Sequence, residues 1–367
     1  MLKKIMLIIG ARPNFIKAAP LMRELRTHTD KFVPCLIHTG QHYDHNLSQL
    51  FFEQLKMAQP DTYLGVGSGT HAQQTAKIMI GLEEEFGKNR PDLVIVFGDV
   101  NSTLAASIVA SKMCLKLAHV EAGLRSFDNA MPEEINRIVT DRLSDFLFIT
   151  EKSGRENLLN EGVSEDKIFF VGNIMIDSLV NNLELSRKSK IIEQLHITPN
   201  EYAVLTLHRP ANVDDKDTLD ILLKAICKIS QKLPVIFPCH PRTKNALMKF
   251  GFDFESNSNF KIIDPVGYLD FLALQANAKL VLTDSGGIQE ETTYLQIPCI
   301  TIRENTERPI TAEVGTNILA GLKYDNIIEA ANNVFNGKHP KGRIPDLWDG
   351  CTAQRIVTTL EEIYDKY

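Results

Sequence analysis

The sequence lacks several features that mark particular classes of protein. No stretch approaches the roughly 18 consecutive apolar residues that a membrane-spanning helix needs. The apolar run at residues 5–9 is too short for the core of a secretory signal peptide, and Gly10 ends it. Forty basic against 46 acidic residues give a net charge of −6, which argues against a nucleic-acid-binding or membrane-surface protein.

Signatures of disulfide, metal and common nucleotide sites are also missing. The six cysteines form no CxxC pair and lie mostly in apolar runs, so we expect reduced core residues in a cytoplasmic protein. The histidine motifs of the second half lack metal-ligand spacing such as HExxH, and no metal site is predicted. The glycine-rich residues 65–70 follow no long strand and are interpreted as a loop in which Thr70 caps the next helix.

Short apolar runs alternate with helical patterns along the whole chain, which predicts parallel sheets built from βαβ units. The runs lack polar alternation, as expected for strands that are covered on both faces. Predicted strands are residues 4–9, 33–38, 93–97, 117–120, 146–149 and 168–171, and then 203–207, 235–238, 260–263, 280–283 and 299–302. Predicted helices include residues 16–27, 72–86, 104–113, 134–143 and 219–231.

The two strand series are separated by residues 172–201, which contain a charged segment and a turn signal at residues 198–200. We therefore predict an α/β protein with two doubly wound, Rossmann-like domains that face each other across a cleft. The first domain spans residues 1–172 and the second spans 173–352, while a last helix at 353–367 packs back on the first domain. Ligands of such sheets bind beyond the carboxyl ends of the strands.

Basic residues follow the first predicted strand. Gly10 gives the backbone freedom to turn, and Arg12 and Lys17 then lie near the N-terminus of a helix. A helix N-terminus with nearby cations favours binding of a diphosphate. The alternative interpretation is a solvated basic turn without a ligand.

Carboxylates follow the next strands. Asp99 and Glu121 each come at the end of a strand, and Glu133 opens a helix that carries Arg137 one turn later. Each acid alone is explained as readily by helix capping or by interaction with a helix dipole. Three carboxylates directed at one crevice would raise some of their pKa values, which provides a general acid or base near pH 7.

In the second half, His208 and His240 each follow a predicted strand and have an arginine nearby. The alternative for each is a capping or core histidine. A charged loop that contains Arg308 follows the last predicted strand and is expected to reach the cleft.

The strongest local signal is the segment TDSGGIQEE at residues 283–291. Gly286 and Gly287 at a strand-to-helix turn allow close approach of a ligand, and the free N–H groups would face an anion. Ser285 adds a hydroxyl group, and Glu290 and Glu291 are candidates for binding ribose hydroxyls. A purely structural turn is the alternative.

Together these motifs resemble the non-hydrolysing UDP-N-acetylglucosamine 2-epimerase family, in order and over nearly the whole chain. They are GARPNFIK (10–17), FGDVNST (97–103), HVEAGLRS (119–126), MPEEINR (131–137), GNIMID (172–177), LHRPAN (207–212), TDSGGIQEE (283–291) and TERP (306–309). The resemblance implies a fold of the glycosyltransferase-B type with a UDP-binding second domain, and a homodimer. It also implies an isomerase that uses neither a metal nor a nicotinamide.

The resemblance also implies roles for individual residues. The implied catalytic residues are Asp99, Glu121, Glu133 and His208. The implied substrate-binding residues are Arg12, Lys17, Arg137, His240, Ser285, Gly286, Gly287, Glu291 and Arg308. Gln41 and His42 match a region that binds a second, activating UDP-sugar in some relatives.

Two departures from the family pattern leave the hexose open. Residues 11–14 read ARPN where relatives often have TRPE, and the stretch at 127–131 is short. The open alternatives are a diacetamido-glucuronate or 6-deoxy substrate, a hydrolysing epimerase, a transferase of the same fold, and a sugar-nucleotide sensor without catalysis.

Overall fold

The computed structural model describes residues 2–41, 57–252 and 257–365. The chain forms two compact units. Unit 1 comprises Met1–Asn181 and Asp346–Tyr367, and unit 2 comprises Asn182–Pro345. The sequence-based boundary at residue 172 precedes residues that pack within unit 1, because the buried Ser178 donates a hydrogen bond to the carbonyl of Ile16.

Unit 1 is built on a parallel sheet with the strand order β3-β2-β1-β4-β5-β6-β7. The strands are β1 (Lys3–Ile9), β2 (Phe32–His38), β3 (Thr62–Tyr63), β4 (Leu93–Phe97), β5 (Lys116–Ala122), β6 (Phe146–Ile149) and β7 (Ile168–Phe170). The helices are α1 (Arg12–Leu25), α2 (His71–Lys88), α3 (Asn101–Lys112), α4 (Pro132–Leu143), α5 (Lys152–Asn160) and α6 (Ile174–Ser186). The strand order reverses between β1 and β4, where doubly wound sheets bind ligands.

Unit 2 is built on a second parallel sheet with the order β10-β9-β8-β11-β12-β13. The strands are β8 (Ala203–Thr206), β9 (Val235–Pro238), β10 (Phe260–Ile263), β11 (Leu280–Thr283), β12 (Cys299–Thr301) and β13 (Asn317–Leu319). The helices are α7 (Ile191–Gln194), α8 (Pro210–Val213), α9 (Lys216–Ser230), α10 (Pro241–Lys249), α11 (Tyr268–Ala276), α12 (Gly286–Leu295), α13 (Ile310–Glu313) and α14 (Tyr324–Phe335). Here the order reverses between β8 and β11.

The apolar runs of the sequence form the central strands. Leu93–Phe97 is buried along its whole length, as expected for a strand between two helical layers. All the predicted strands are confirmed, and so are the two Rossmann-like units. The two edge strands β3, of two residues, and β13, of three residues, were not predicted. Thr70 caps α2 by accepting a hydrogen bond from the N–H of Gln73 at 3.3 Å, as predicted.

The C-terminal helix α15 (Thr352–Asp365) belongs to unit 1. Its start is held by the buried carboxylate of Asp177 on α6, which accepts hydrogen bonds from the N–H groups of Thr352 at 3.1 Å and Ala353 at 2.7 Å. Its other end lies beside the turn that follows α1, where Glu361 lies 2.8 Å from the Nδ1 atom of His28. The GNIMID motif therefore has a structural role in this unit.

The cysteines only partly match the prediction of core residues. All six are free thiols, and Cys239 and Cys299 are buried, but Cys114 is exposed. Cys114 lies in the turn after α3, where its apolar sequence neighbours point inward. None of the helices in the described ranges combines the length and the apolar character needed to cross a bilayer.

We expect Asp177→Ala to lower the free energy of unfolding of unit 1 by about 1–2 kcal/mol, because two N–H groups at the start of α15 lose their acceptor. Asp177→Asn keeps one carbonyl acceptor and should cost less. Urea unfolding followed by circular dichroism measures both changes. Equal stability of Asp177→Ala and the parent chain would contradict this role.

Candidate active site

The turn from β1 to α1 is packed against the ends of two neighbouring strands. A side chain at Gly10 would overlap the hydroxyl groups of Ser102 and Thr39, so only glycine fits there. Asn14 accepts hydrogen bonds from the N–H groups of Gly10 at 3.1 Å and Ala11 at 3.2 Å. Its Nδ2 atom donates to the carbonyl of Phe97 at 3.0 Å. Asn14, where the sequence departs from the family pattern, therefore fixes the backbone of the turn between β1 and α1.

A buried ion pair lies over the end of β4. The Nζ atom of Lys17 contacts the Oε2 atom of Glu121, and both side chains are almost fully buried. A Cβ atom at Gly98 would lie 2.9 Å from the Lys17 Nζ atom and 3.0 Å from the Glu121 Oε2 atom. Arg12 begins α1, but its side chain lies outside the described part of the chain.

Glu121 owes its direction to an irregularity in β5. Val120 pairs with Phe148 and Ala122 pairs with Ile149, so Glu121 is an extra residue in the register with β6. Its φ of 78° is left-handed, which is unfavourable for a side chain with a Cβ atom. A bulge of this kind redirects one side chain at the end of a strand.

A second buried network holds the residues on either side of this bulge. The Nδ1 atom of His119 lies 2.6 Å from Asp141 Oδ1, and its Nε2 atom lies 2.8 Å from the carbonyl oxygen of Gly98. Asp141 Oδ2 accepts from the N–H of Gly123 at 3.1 Å and contacts the Nη1 atom of Arg125 at 2.7 Å. Burial alone would raise the pKa of Asp141, but His119 and Arg125 hold it below its ordinary value.

Sequence reasoning missed Asp141. Its contact with His119 joins residues 22 positions apart, and α4 carries several acidic residues without a local feature that distinguishes this one. The signal available was the histidine and the arginine that flank Glu121 in HVEAGLR, since a buried arginine requires an acidic partner and a buried histidine requires hydrogen-bond partners.

Asp99 is held by α4. The Nη2 atom of Arg137 lies 2.6 Å from Asp99 Oδ2, and the Nη1 atom lies 2.6 Å from Glu134 Oε2. The Nδ2 atom of Asn136 donates to the carbonyl of Asp99 at 2.7 Å. Arg137, implied to bind substrate, is buried between these two carboxylates and orients Asp99.

The adjacent acids Glu133 and Glu134 have different environments. Glu134 is buried and accepts hydrogen bonds from the N–H groups of Ser126 at 2.9 Å and Phe127 at 2.9 Å. Glu133 is half-buried, and no described residue forms a hydrogen bond or an ion pair with its carboxylate. Of the two acids, Glu133 is therefore the one available to a substrate.

The segment implied to be regulatory is only partly described. Gln41 is buried, and its Oε1 atom accepts hydrogen bonds from Ser102 N at 3.1 Å and Ser102 Oγ at 2.7 Å. Its carbonyl accepts from Gln74 Nε2 at 2.9 Å. Gln41 thus caps the start of α3, and α3 begins two residues after Asp99. His42 lies outside the described residues.

In unit 2, the buried carboxylate of Asp284 organises the switch point. Its Oδ2 atom accepts hydrogen bonds from the N–H groups of His208 and Arg209, each at 2.9 Å. The ring of His208 is half-exposed, and its Nδ1 atom lies 2.8 Å from Asp284 Oδ1. Burial alone would raise the pKa of Asp284, but His208 and the two N–H groups hold it below its ordinary value. Asp284 was not singled out from the sequence.

The start of α12 is surrounded by buried charges. Ser285 precedes the helix, and Gly286 and Gly287 provide N–H groups that have no intrahelical acceptor. A Cβ atom at Gly286 would lie 2.7 Å from Arg308 Nη1 and 2.6 Å from Glu307 Oε1. A side chain at Gly286 would displace the buried Arg308–Glu307 pair, and the turn brings Arg308 to a helix N-terminus that suits an anion.

Arg308 is part of a network of arginines and glutamates. Its Nε atom lies 2.8 Å from Glu290 Oε1, and its Nη1 atom lies 2.7 Å from Glu307 Oε1. Glu307 also pairs with Arg303 at 2.7 Å and with Arg209 at 3.5 Å. Burial first, and then the neighbouring arginines, lower the pKa of Arg303. The cluster places three arginines and two glutamates beside the glycine turn.

The remaining two candidates of unit 2 have separate surroundings. Glu291 is buried in α12, where it accepts hydrogen bonds from Gln275 Nε2 at 2.7 Å and from the Tyr268 hydroxyl at 3.2 Å. Burial raises the pKa of Glu291. His240 is exposed and caps α10, with its Nδ1 atom 3.3 Å from the N–H of Arg242.

Two Rossmann-like units, one with carboxylates at its strand ends and one with a glycine turn and an arginine at a helix start, define a two-domain α/β fold of the glycosyltransferase-B type. The model of the UDP-N-acetylglucosamine 2-epimerase family matches residues 23–361. The chain belongs to this family.

Individual relatives agree with this assignment. The UDP-N-acetylglucosamine 2-epimerase of Methanocaldococcus jannaschii is 46% identical over 99% of this chain and 100% of that protein. Its crystal structure in complex with UDP-GlcNAc and UDP superposes with a TM-score of 0.91, at 44% identity over 98% of this chain and 99% of that one. The UDP-2,3-diacetamido-2,3-dideoxy-D-glucuronate 2-epimerase of Pseudomonas aeruginosa is 41% identical over 89% of this chain and 91% of that protein.

We expect Asp141→Asn to lower the free energy of unfolding of unit 1 by about 3–5 kcal/mol at pH 7, because the buried Arg125 guanidinium loses an anionic partner and His119 loses a carboxylate contact. The pKa of Asp141 in the folded state lies below the unfolded value, near 3.9. Its contribution is therefore present above about pH 4 and is lost as the pH falls through the folded pKa.

The difference in stability between the parent chain and Asp141→Asn should then be constant from about pH 5 to pH 7 and smaller at about pH 3.5. Urea unfolding at several pH values measures it. A difference that stays the same on acidification would show that the charge of Asp141 does not stabilise the fold.

Proposed function

We propose that this chain inverts C2 of UDP-N-acetylglucosamine to give UDP-N-acetylmannosamine. The observation that carries the proposal is the buried Lys17–Glu121 pair over Gly98, next to Asp99, at the switch point of unit 1. Carboxylates and a cation at this edge suit proton transfer at a carbon whose neighbour bears a leaving diphosphate. The substrates named for the relatives support the same reaction.

The reaction needs an indirect route because no carbonyl group lies next to C2 to stabilise a carbanion. Departure of UDP from C1 with the bonding electron pair places positive charge at C1 and makes the C2 proton acidic. Loss of that proton to a carboxylate gives a glycal with a C1–C2 double bond. Return of a proton to the opposite face of C2, with re-addition of UDP at C1, completes the epimerisation.

We assign proton transfer to the carboxylates of unit 1. Glu121 and Asp99 are each held in one direction by a buried cation, Lys17 and Arg137 respectively. No described residue forms a hydrogen bond or an ion pair with the carboxylate of Glu133, which is half-exposed. Fixed carboxylates lower the barrier because they need no reorganisation when charge develops on the sugar.

We assign binding of UDP mainly to unit 2. Arg308 and the turn of Ser285, Gly286 and Gly287 would stabilise the diphosphate as it departs, and Arg12 would add a further cation. Glu291 would bind the ribose hydroxyls. His208, oriented by Asp284, would lie close to the reacting centre, and His240 would contact the substrate at the start of α10.

The proposal includes a homodimer and a cytoplasmic location, where free thiols stay reduced. An activating UDP-sugar at Gln41 and His42 is included as well. A second candidate substrate is UDP-2,3-diacetamido-glucuronate, which is favoured by the 41% identity to the Pseudomonas aeruginosa enzyme. Comparing turnover of the two UDP-sugars distinguishes these candidates, and product analysis distinguishes an epimerase from a hydrolysing enzyme, which would release free sugar and UDP.

We expect turnover of UDP-N-acetylglucosamine in D₂O to place deuterium at C2 of the product, because a carboxylate exchanges its proton with solvent between removal and return. NMR of the products over time measures this incorporation. Retention of the original hydrogen at C2 in the epimerised product would exclude the elimination route.

We expect Glu121→Gln and Asp99→Asn to lower kcat by roughly 10²–10⁴-fold, because each removes a group that accepts or returns the proton. The affinity for UDP should change little, since its binding is assigned to unit 2. Steady-state kinetics and calorimetric titration with UDP measure the two effects.

The matched control is Asp92→Asn. Asp92 lies just before the amino end of β4, where it accepts from the N–H of Lys4 at 2.8 Å, whereas Asp99 follows the carboxyl end. This variant should keep its activity. Near-normal rates in both site variants would remove Glu121 and Asp99 from the catalytic set.

A further inference from the structure

Phe127 combines two unfavourable features. Its side chain is 79% exposed, which makes it the most exposed large hydrophobic side chain among the described residues. Its φ of 57° is left-handed, a conformation that side chains with a Cβ atom rarely adopt. A residue keeps such a conformation only where the surrounding structure fixes it. Residues of this kind are enriched at ligand-binding and catalytic positions.

The backbone of Phe127 is fixed by the same ion pairs that orient Asp99. Its N–H donates to Glu134 Oε1 at 2.9 Å, and the preceding Ser126 donates to Glu134 from both its N–H and its hydroxyl group. Glu134 is buried and pairs with Arg137, whose other nitrogen pairs with Asp99. A continuous series of hydrogen bonds and ion pairs therefore links the backbone of Phe127 to a proposed catalytic carboxylate.

We propose that Phe127 is a substrate-contacting residue whose ring packs against the hexose of the UDP-sugar and shields C1 and C2 from water. This inference rests on the proposed function. The C–H groups of a pyranose ring form an apolar face, and an aromatic ring covers such a face with little loss of conformational entropy. Exclusion of water matters here, because water that adds at C1 would divert the glycal from re-addition of UDP.

The test uses three substitutions at Phe127, each of which should leave the fold intact because the side chain is mostly exposed. Phe127→Ala removes the ring, and Phe127→Tyr restores an aromatic ring. Phe127→Gly removes the ring and also relieves the left-handed backbone. Ile80→Ala is the matched control, since Ile80 is 60% exposed on α2 and is not assigned to the site.

We expect kcat/KM for UDP-N-acetylglucosamine to fall roughly 10- to 100-fold in Phe127→Ala and Phe127→Gly, as for loss of an apolar contact that acts in the transition state. Phe127→Tyr should stay within about threefold of the parent chain, and Ile80→Ala within about twofold. The share of turnovers that release free UDP should rise in Phe127→Ala. The affinity for UDP, which has no hexose, should not change.

Several results would overturn the inference. One is a kcat/KM of Phe127→Ala or Phe127→Gly within twofold of the parent chain. Another is a loss of UDP affinity equal to the loss of UDP-N-acetylglucosamine affinity. A third is a lower molecular mass of Phe127→Ala in light scattering with unchanged kcat/KM, which would assign the ring to contact with a second copy of the chain.

Binding measurements separate this inference from the proposed function. The Glu121→Gln variant should bind the substrate without turnover. In this variant, the gain in affinity, defined as the affinity for UDP-N-acetylglucosamine relative to that for UDP, measures the contribution of hexose contacts. If that gain falls in Phe127→Ala while the parent chain does not epimerise the sugar, the contact is supported and the proposed reaction fails. If the parent chain epimerises the sugar and the gain is unaffected, only the role of Phe127 fails.

Discussion

The left-handed bulge at Glu121 is the constraint on which the candidate site of unit 1 depends. Its backbone costs of the order of 1–3 kcal/mol relative to a regular strand, so it persists only because neighbouring contacts fix it. Asp141 supplies them on both sides, through the N–H of Gly123 and, by way of His119, the carbonyl of Gly98. The same bulge turns the Glu121 carboxylate toward Lys17. The buried contacts of Asp141 thus fix the backbone that sets the direction of the Glu121 side chain.

The cations of both units already have carboxylate partners. Lys17 pairs with Glu121, and Arg308 pairs with Glu290 and Glu307. Such a cation is already desolvated and oriented before a diphosphate binds. Binding of the diphosphate therefore does not include the free-energy cost of ordering that side chain. In a chain with a net charge of −6, an anion would therefore be met by individual oriented cations and by helix N–H groups, and not by the overall field of the protein.

Sequence patterns predicted the strands and the residues at their carboxyl ends, because buried parallel strands have a distinctive run of apolar residues and the sheet topology fixes where they end. They identified Glu121 and Asp99 as candidates in this way. They did not predict the bulge, because a one-residue irregularity leaves no trace in the apolar run. They also did not predict Asp141, Asp284 or the structural use of Asn14, because these side chains contact residues that are distant in sequence, and many polar side chains have the same local appearance.

The adjacent acids Glu133 and Glu134 show how helical geometry separates functions that a sequence motif joins. Successive residues of a helix point in directions about 100° apart, so two neighbouring side chains cannot share an environment. Glu134 faces Arg137 one turn later, and with this cation it anchors the backbone of Ser126 and Phe127. Glu133 consequently points elsewhere and remains half-exposed. The structural acid thereby determines where the neighbouring acid can act.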